Sequence, residues 1–144
     1  MSNGWLIDTS ALSRLRSTTD DGVWGDRIVR GVVSVCTATR LEIGVSARSV
    51  GSWKRIAATY PVADLVPVLA TPAAEARALE VQRMLAARGQ HRAASVVDIL
   101  TAATAEVARL TVLHVDKDFE LIAAVTGQAV ERLAVGDGDA AGGR

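Results

Sequence analysis

Short apolar runs and longer stretches of helical period alternate along this chain. Trp5-Leu6-Ile7 is a bulky apolar run that stops at Asp8, with Thr9 and Ser10 and the helix-forming pair Ala11-Leu12 behind it. That order predicts a buried strand, a strand-to-helix turn and a short helix over 10–16. A polar loop over 17–22 precedes a helix over 23–30 that stops at Gly31, and a β-branched strand follows over 32–36. The pattern is then helical over 37–45 and again over 46–60, with a connection over 61–67 and extended character over 66–69.

Thr71-Pro72 is a capping residue followed by proline at the first helical position, which predicts a helix running to Arg88. Its stripe of Ala74, Ala78, Val81 and Leu85 has a period near 3.6 and reads as core, or else as a face for a partner. After a basic loop over 88–92 come a helix over 93–109, a buried strand over 111–115, a helix to Val125 broken by Gly127, and an edge strand over 129–134. Strands alternating with helices in this way predict an α/β fold with a central parallel sheet.

Chain length adds that one domain is expected, over 1–135, with enough chain to bury a substantial core. The segment 136–144 has no apolar residue larger than alanine and is expected to be a disordered tail. No apolar run reaches the roughly 18–20 residues of a membrane span, and no basic leader precedes the first apolar segment, so a cytoplasmic location is expected. Cys36 is the only cysteine. It excludes an internal disulfide and a thiolate metal site, and its apolar neighbours read as those of a buried thiol.

Five acids stand at the places where an open parallel sheet binds ligands. Asp8 and Asp116 each follow a strand directly, Asp118 lies two residues beyond Asp116, Glu42 lies in the helix after the second strand, and Asp98 lies early in the helix before the 111–115 strand. Each has a purely structural reading. Thr39-x-x-Glu42 is a capping box, Asp116 is a helix cap, and Asp98 is a first-turn acid favoured by the helix dipole. If the strands are parallel, however, all five fall beside one sheet edge, where like charges persist only when protonated or neutralised by cations. Oxygen ligands without cysteine or a histidine pair select hard ions, Mg2+ or Mn2+, which leave positions open for a phosphate and a water.

The segments Leu6-Ile7-Asp8-Thr9-Ser10-Ala11-Leu12, Thr39-Arg40-Leu41-Glu42, Asp98-Ile99-Leu100-Thr101-Ala102-Ala103 and His114-Val115-Asp116-Lys117-Asp118-Phe119 together resemble the PIN-domain ribonucleases, specifically the VapC toxins of toxin–antitoxin pairs. The resemblance implies a three-layer α/β/α fold and a metal-dependent endoribonuclease whose products carry 5′-phosphate and 3′-hydroxyl ends. It implies that Asp8, Asp98 and Asp116 are metal ligands with Asp118 a further or alternative one, and that Glu42 holds a metal-bound water or a second ion. Ser10 would support Asp8 by hydrogen bonding. Thr101 departs from the aliphatic residue more usual there. A VapB-type antitoxin and a homodimer are implied as well.

The formal charge is zero, from 16 basic and 16 acidic residues, which does not by itself advertise a nucleic-acid binder. Setting the five candidate acids aside leaves a positive excess on the rest of the chain, with Arg88, His91, Arg92 and Lys117 as candidate RNA contacts. The five aromatic residues offer few stacking platforms, which favours a folded RNA, a tRNA or rRNA, read by shape and phosphate contacts. The competing readings are a non-catalytic PIN-like module binding RNA or protein, a DNA-cleaving relative, and a phosphatase with Asp8 as nucleophile. The last wants a second aspartate where Ser10 stands.

Overall fold

The computed structural model describes residues 2–136, and the reading of a disordered tail falls, beyond Gly136, outside them. Among these residues five strands form one parallel sheet: β1 (Trp5–Ile7), β2 (Val33–Cys36), β3 (Val66–Val68), β4 (Thr111–His114) and β5 (Val130–Arg132). Their spatial order is β3-β2-β1-β4-β5, so the chain winds outward from β1 to one edge and then crosses back to β4 to build the other. The reversal lies between β1 and β4, paired in register Trp5↔Thr111 to Ile7↔Leu113. A crevice opens outside the carboxyl ends of the strands at such a reversal.

Among the described residues seven α-helices accompany the strands: α1 (Thr9–Ser13), α2 (Asp21–Val29), α3 (Thr37–Gly44), α4 (Val50–Ala58), α5 (Pro72–Ala87), α6 (Val96–Val107) and α7 (Lys117–Thr126). Alternating side chains of the strands point to opposite faces and create two cores. On one face Leu6 and Val112 pack with Val81, Leu85, Ile99 and Phe119 from α5, α6 and α7. On the other Ile7, Val33, Val35 and Leu113 pack with Ala11, Trp24 and Ile28 from α1 and α2. The result is the three-layer α/β/α arrangement with a central parallel sheet expected from the sequence. Among the described residues no helix is long and apolar enough to cross a membrane.

The element boundaries depart from the sequence pattern where caps decide them. The expected 46–60 helix begins only at Val50, because the Ser49 hydroxyl accepts from the Ser52 amide and caps it there. The expected 93–109 helix begins at Val96, with Ser95 accepting from the Asp98 amide. α3 begins at Thr37, directly after β2, so Thr39 lies inside the helix and is fully buried. The Thr39–Glu42 capping box therefore does not form, since a residue with helical backbone cannot serve as the cap. The Thr71 cap with Pro72 and the left-handed stop at Gly127 (φ 73°) form as the pattern predicts.

The sheet begins at a glycine for a steric reason. Gly4 has φ +131°, and a Cβ there would stand 2.4 Å from the Val32 carbonyl oxygen, which accepts the Trp5 amide at 3.0 Å. Gly4→Ala is expected to lower stability by about 2 kcal/mol or more, through the clash and the disfavoured backbone together. Urea unfolding of the two proteins checks this, and equal midpoints would refute it.

Candidate active site

Asp8 follows β1 and caps α1. Its backbone is extended, and its Oδ1 accepts the Ala11 amide at 3.1 Å. The Ser10 hydroxyl donates to both carboxylate oxygens, at 2.8 and 3.0 Å, and accepts the Val115 amide at 3.0 Å. One hydroxyl thus ties Asp8 to the end of β4 on the other side of the reversal, the supporting role foreseen for Ser10. Asp8 is only 5% exposed. Burial pushes its pKa up to about 6, against the pull of the Ser10 and Ala11 hydrogen bonds, and the negative charge of Asp98 adds to the rise.

The acids expected from α6 and the β4–α7 turn converge. Asp98, Asp116 and Asp118 each offer a carboxylate oxygen, and these oxygens lie within 4.8 Å of one another. Asp116 caps α7 by accepting the Asp118 amide at 3.0 Å, so its structural reading is correct but incomplete. The same cap folds Asp118 back toward Asp98. Burial raises the pKa of Asp98, the charges of Asp116 and Asp118 raise it further, and hydrogen bonds from Ser95 oppose the rise. Burial and the Asp116 charge raise the Asp118 pKa, with Lys117 opposing.

Glu42 stands on the exposed face of α3, outside that trio. Its Oε1 accepts the Thr9 hydroxyl at 2.6 Å, which holds it beside the first turn of α1 and therefore beside Asp8. Thr9 was missed in the sequence, where nothing local separates it from an ordinary first-turn threonine. Its partner lies 33 positions away.

Thr101 takes no part in the site. It is 1% exposed, and its hydroxyl lies 3.6 Å from the Cys36 sulfur, which also meets the Thr39 hydroxyl at 3.5 Å. A small polar contact between β2, α3 and α6 accounts for the departure at this position. His114 is buried against Phe119, with ring centroids 5.6 Å apart, and burial lowers its pKa. Arg88, His91, Arg92 and Lys117 are exposed, the first three between α5 and the start of α6. Among the described residues none of them forms an ion pair.

Asp98, Asp116 and Asp118 converge near buried Asp8, and burial first, with the neighbouring negative charge second, raises the pKa of Asp8, Asp98 and Asp118. A hard divalent cation fits this all-oxygen set, because it favours the ionised forms that burial penalises.

This chain is similar to known proteins along most of its length. Residues 5–125 match the model of the PIN domain family. The chain is 54% identical over 130 residues to Ribonuclease VapC2 of Mycobacterium tuberculosis, covering 90% of this chain and 92% of the relative. In fold it is similar to the DNA-bound VapBC structure from Salmonella typhimurium (TM-score 0.70, 16% identity, 92% of this chain and 98% of that one). It is also similar to VapBC-5 of Mycobacterium tuberculosis (TM-score 0.62, 25% identity, 92% and 99%).

Proton linkage at Asp8 has a measurable sign. The folded state binds this proton more tightly than the unfolded chain, with a pKa of about 6 against 3.8. Stability from this group is therefore fully present below the lower value and lost as pH rises toward the upper one. Asp8→Asn is expected to match the native protein near pH 4 and to exceed it at pH 8 by about 1–3 kcal/mol, in chelator-treated protein. Urea midpoints at the two pH values check it, and a variant less stable at pH 8 would refute it.

Proposed function

Because this chain belongs to the PIN-domain family, among its VapC ribonucleases, we propose that it is a Mg2+- or Mn2+-dependent endoribonuclease toxin acting on a structured RNA, tRNA or rRNA, and held in check by a cognate antitoxin. The observation that carries the proposal is the convergence of Asp98, Asp116 and Asp118 within 4.8 Å beside a buried Asp8 whose pKa is raised to about 6. A site built to hold unpaired negative charge at a sheet reversal is costly unless a cation completes it.

Asp8, Asp98 and Asp116 would hold the cation, with Asp118 as a further ligand. When bound, the cation supplies charge to a scissile phosphate and acidity to a water. Ser10 fixes Asp8 in one orientation, with both its oxygens engaged from one side. Glu42, hydrogen-bonded by Thr9, is proposed to accept a proton from the attacking water, as a base outside the Asp98, Asp116 and Asp118 cluster. Arg88, His91, Arg92 and Lys117 are proposed to receive RNA phosphates. The protein is proposed to act in the cytoplasm. The VapBC-5 likeness supports a VapB-type antitoxin as partner, and the homodimer implied by the resemblance is checked by sedimentation of the purified chain.

The test is cleavage of total RNA by purified, antitoxin-free protein with Mg2+ or Mn2+, beside EDTA and Asp8→Asn controls, with fragment ends sequenced. Discrete metal-dependent cuts bearing 5′-phosphates, absent in the variant, are expected. Intact RNA under every metal condition, with RNA or partner binding retained, would replace the enzyme by a non-catalytic binding module. Matched DNA cut equally well would move the substrate class.

Glu42→Gln is expected to lower the cleavage rate on the order of 10²–10⁴-fold. Thr9→Val should cost roughly tenfold, restored by Thr9→Ser, because it loosens the base without removing it. If Thr9→Val costs as much in a Glu42→Gln background as alone, the coupling between the two side chains is refuted.

A further inference from the structure

Two stretches beside the site, 9–19 and 37–60, hold six basic residues, Arg14, Arg16, Arg40, Arg48, Lys54 and Arg55. Their only acid is Glu42, which belongs to the site. The stretches meet in the fold, since α1 packs on α3 and Arg16 and Arg55 line one cleft. Among the described residues none of the six basic side chains is in an ion pair, whereas Arg27, Arg30, Arg77 and Arg132 all are. These residues form a basic flank of the molecule.

A cleft of about 310 Å³ lies within the flank. Arg16, from the turn after α1, and Arg55, from the last turn of α4, line it together with Tyr60, over a floor of Ile56, Pro61 and Val62. Ile56 and Val62 also line the adjoining depression beside Arg40, which continues the basic surface toward the helix that bears Glu42. Arg16 follows Asp8 by eight residues, so only the short helix α1 and the turn after it separate the cleft from the acid that caps α1.

Resting on the nuclease reading above, we propose that the Arg16–Arg55–Tyr60 cleft is a substrate subsite that holds a single-stranded nucleotide of the RNA flanking the cut. Two guanidinium groups without acid partners suit a phosphate, and a half-exposed phenol ring beside an apolar floor suits a base.

The experiment compares native protein, Arg16→Gln/Arg55→Gln and Arg16→Lys/Arg55→Lys in Mg2+-dependent cleavage of a fluorescein-labelled RNA spanning the mapped cut. Binding of the same RNA to each protein in an Asp8→Asn background is read by anisotropy against salt. The Gln pair is expected to raise KM about tenfold with kcat unchanged and to lower the salt slope of binding by about 1.4, and the Lys pair to recover most of both. Tyr60→Leu, which leaves the arginines in place, is expected to raise KM and leave the salt slope alone.

A KM and salt slope unchanged in the Gln pair, with native protein cleaving normally, would overturn the subsite and leave the nuclease reading intact. Native protein that neither cleaves nor binds RNA would overturn both. If the Gln pair instead weakens only binding of an acidic antitoxin peptide, the cleft belongs to a protein partner and the RNA proposal falls.

Discussion

The fold turns on a carboxylate buried at the seam between its two central strands. Asp8 sits where the winding reverses, and everything that touches it also joins β1 to something else. The Ser10 hydroxyl bridges it to the Val115 amide after β4, its own amide donates to the Leu113 carbonyl at 3.0 Å, and its Oδ1 starts α1. These bonds lower the pKa of Asp8, yet burial outweighs them. The protein therefore keeps an unfavourable charge at its centre and arranges the polar groups around it so that the charge has one orientation.

The other acids follow from that placement. β4 pairs with β1, so the turn after β4 must deliver Asp116 and Asp118 beside Asp8, and α6 brings Asp98 in by its first turn. Capping and site building use the same atoms. Asp8 and Asp116 each satisfy a helix amide with one oxygen, and the helix start holds the carboxylate still. A cap is thus how this chain fixes a site acid, and the two readings of such an acid are not alternatives.

For that reason much of the site was legible in the sequence. Strand, acid, hydroxyl and helix occur in an order that fixes where each acid falls once the sheet is parallel, and the stripe of Ala74, Ala78, Val81 and Leu85 reads directly as the buried face of α5. What could not be read were contacts between elements distant in the chain. Thr39 and Glu42 have the spacing of a capping box, but α3 starts at once after β2, which buries Thr39 against Cys36 and hands Glu42 to Thr9. Local spacing cannot tell a capping threonine from one inside the helix, and the hydroxyl that meets Glu42 instead lies on another helix.

The outer strands bear on how this molecule can be approached. β3 is three residues long and carries Pro67 at its middle, opposite Val35 of β2. Proline is tolerated in an edge strand when its nitrogen faces solvent, so a strand arriving from outside would find a missing donor at the centre of a very short ladder. Extension of the sheet by backbone pairing, from a second copy or from a misfolded neighbour, is blocked at this edge. Recognition on that side falls to side chains on the helical faces, whose chemistry the chain can set residue by residue.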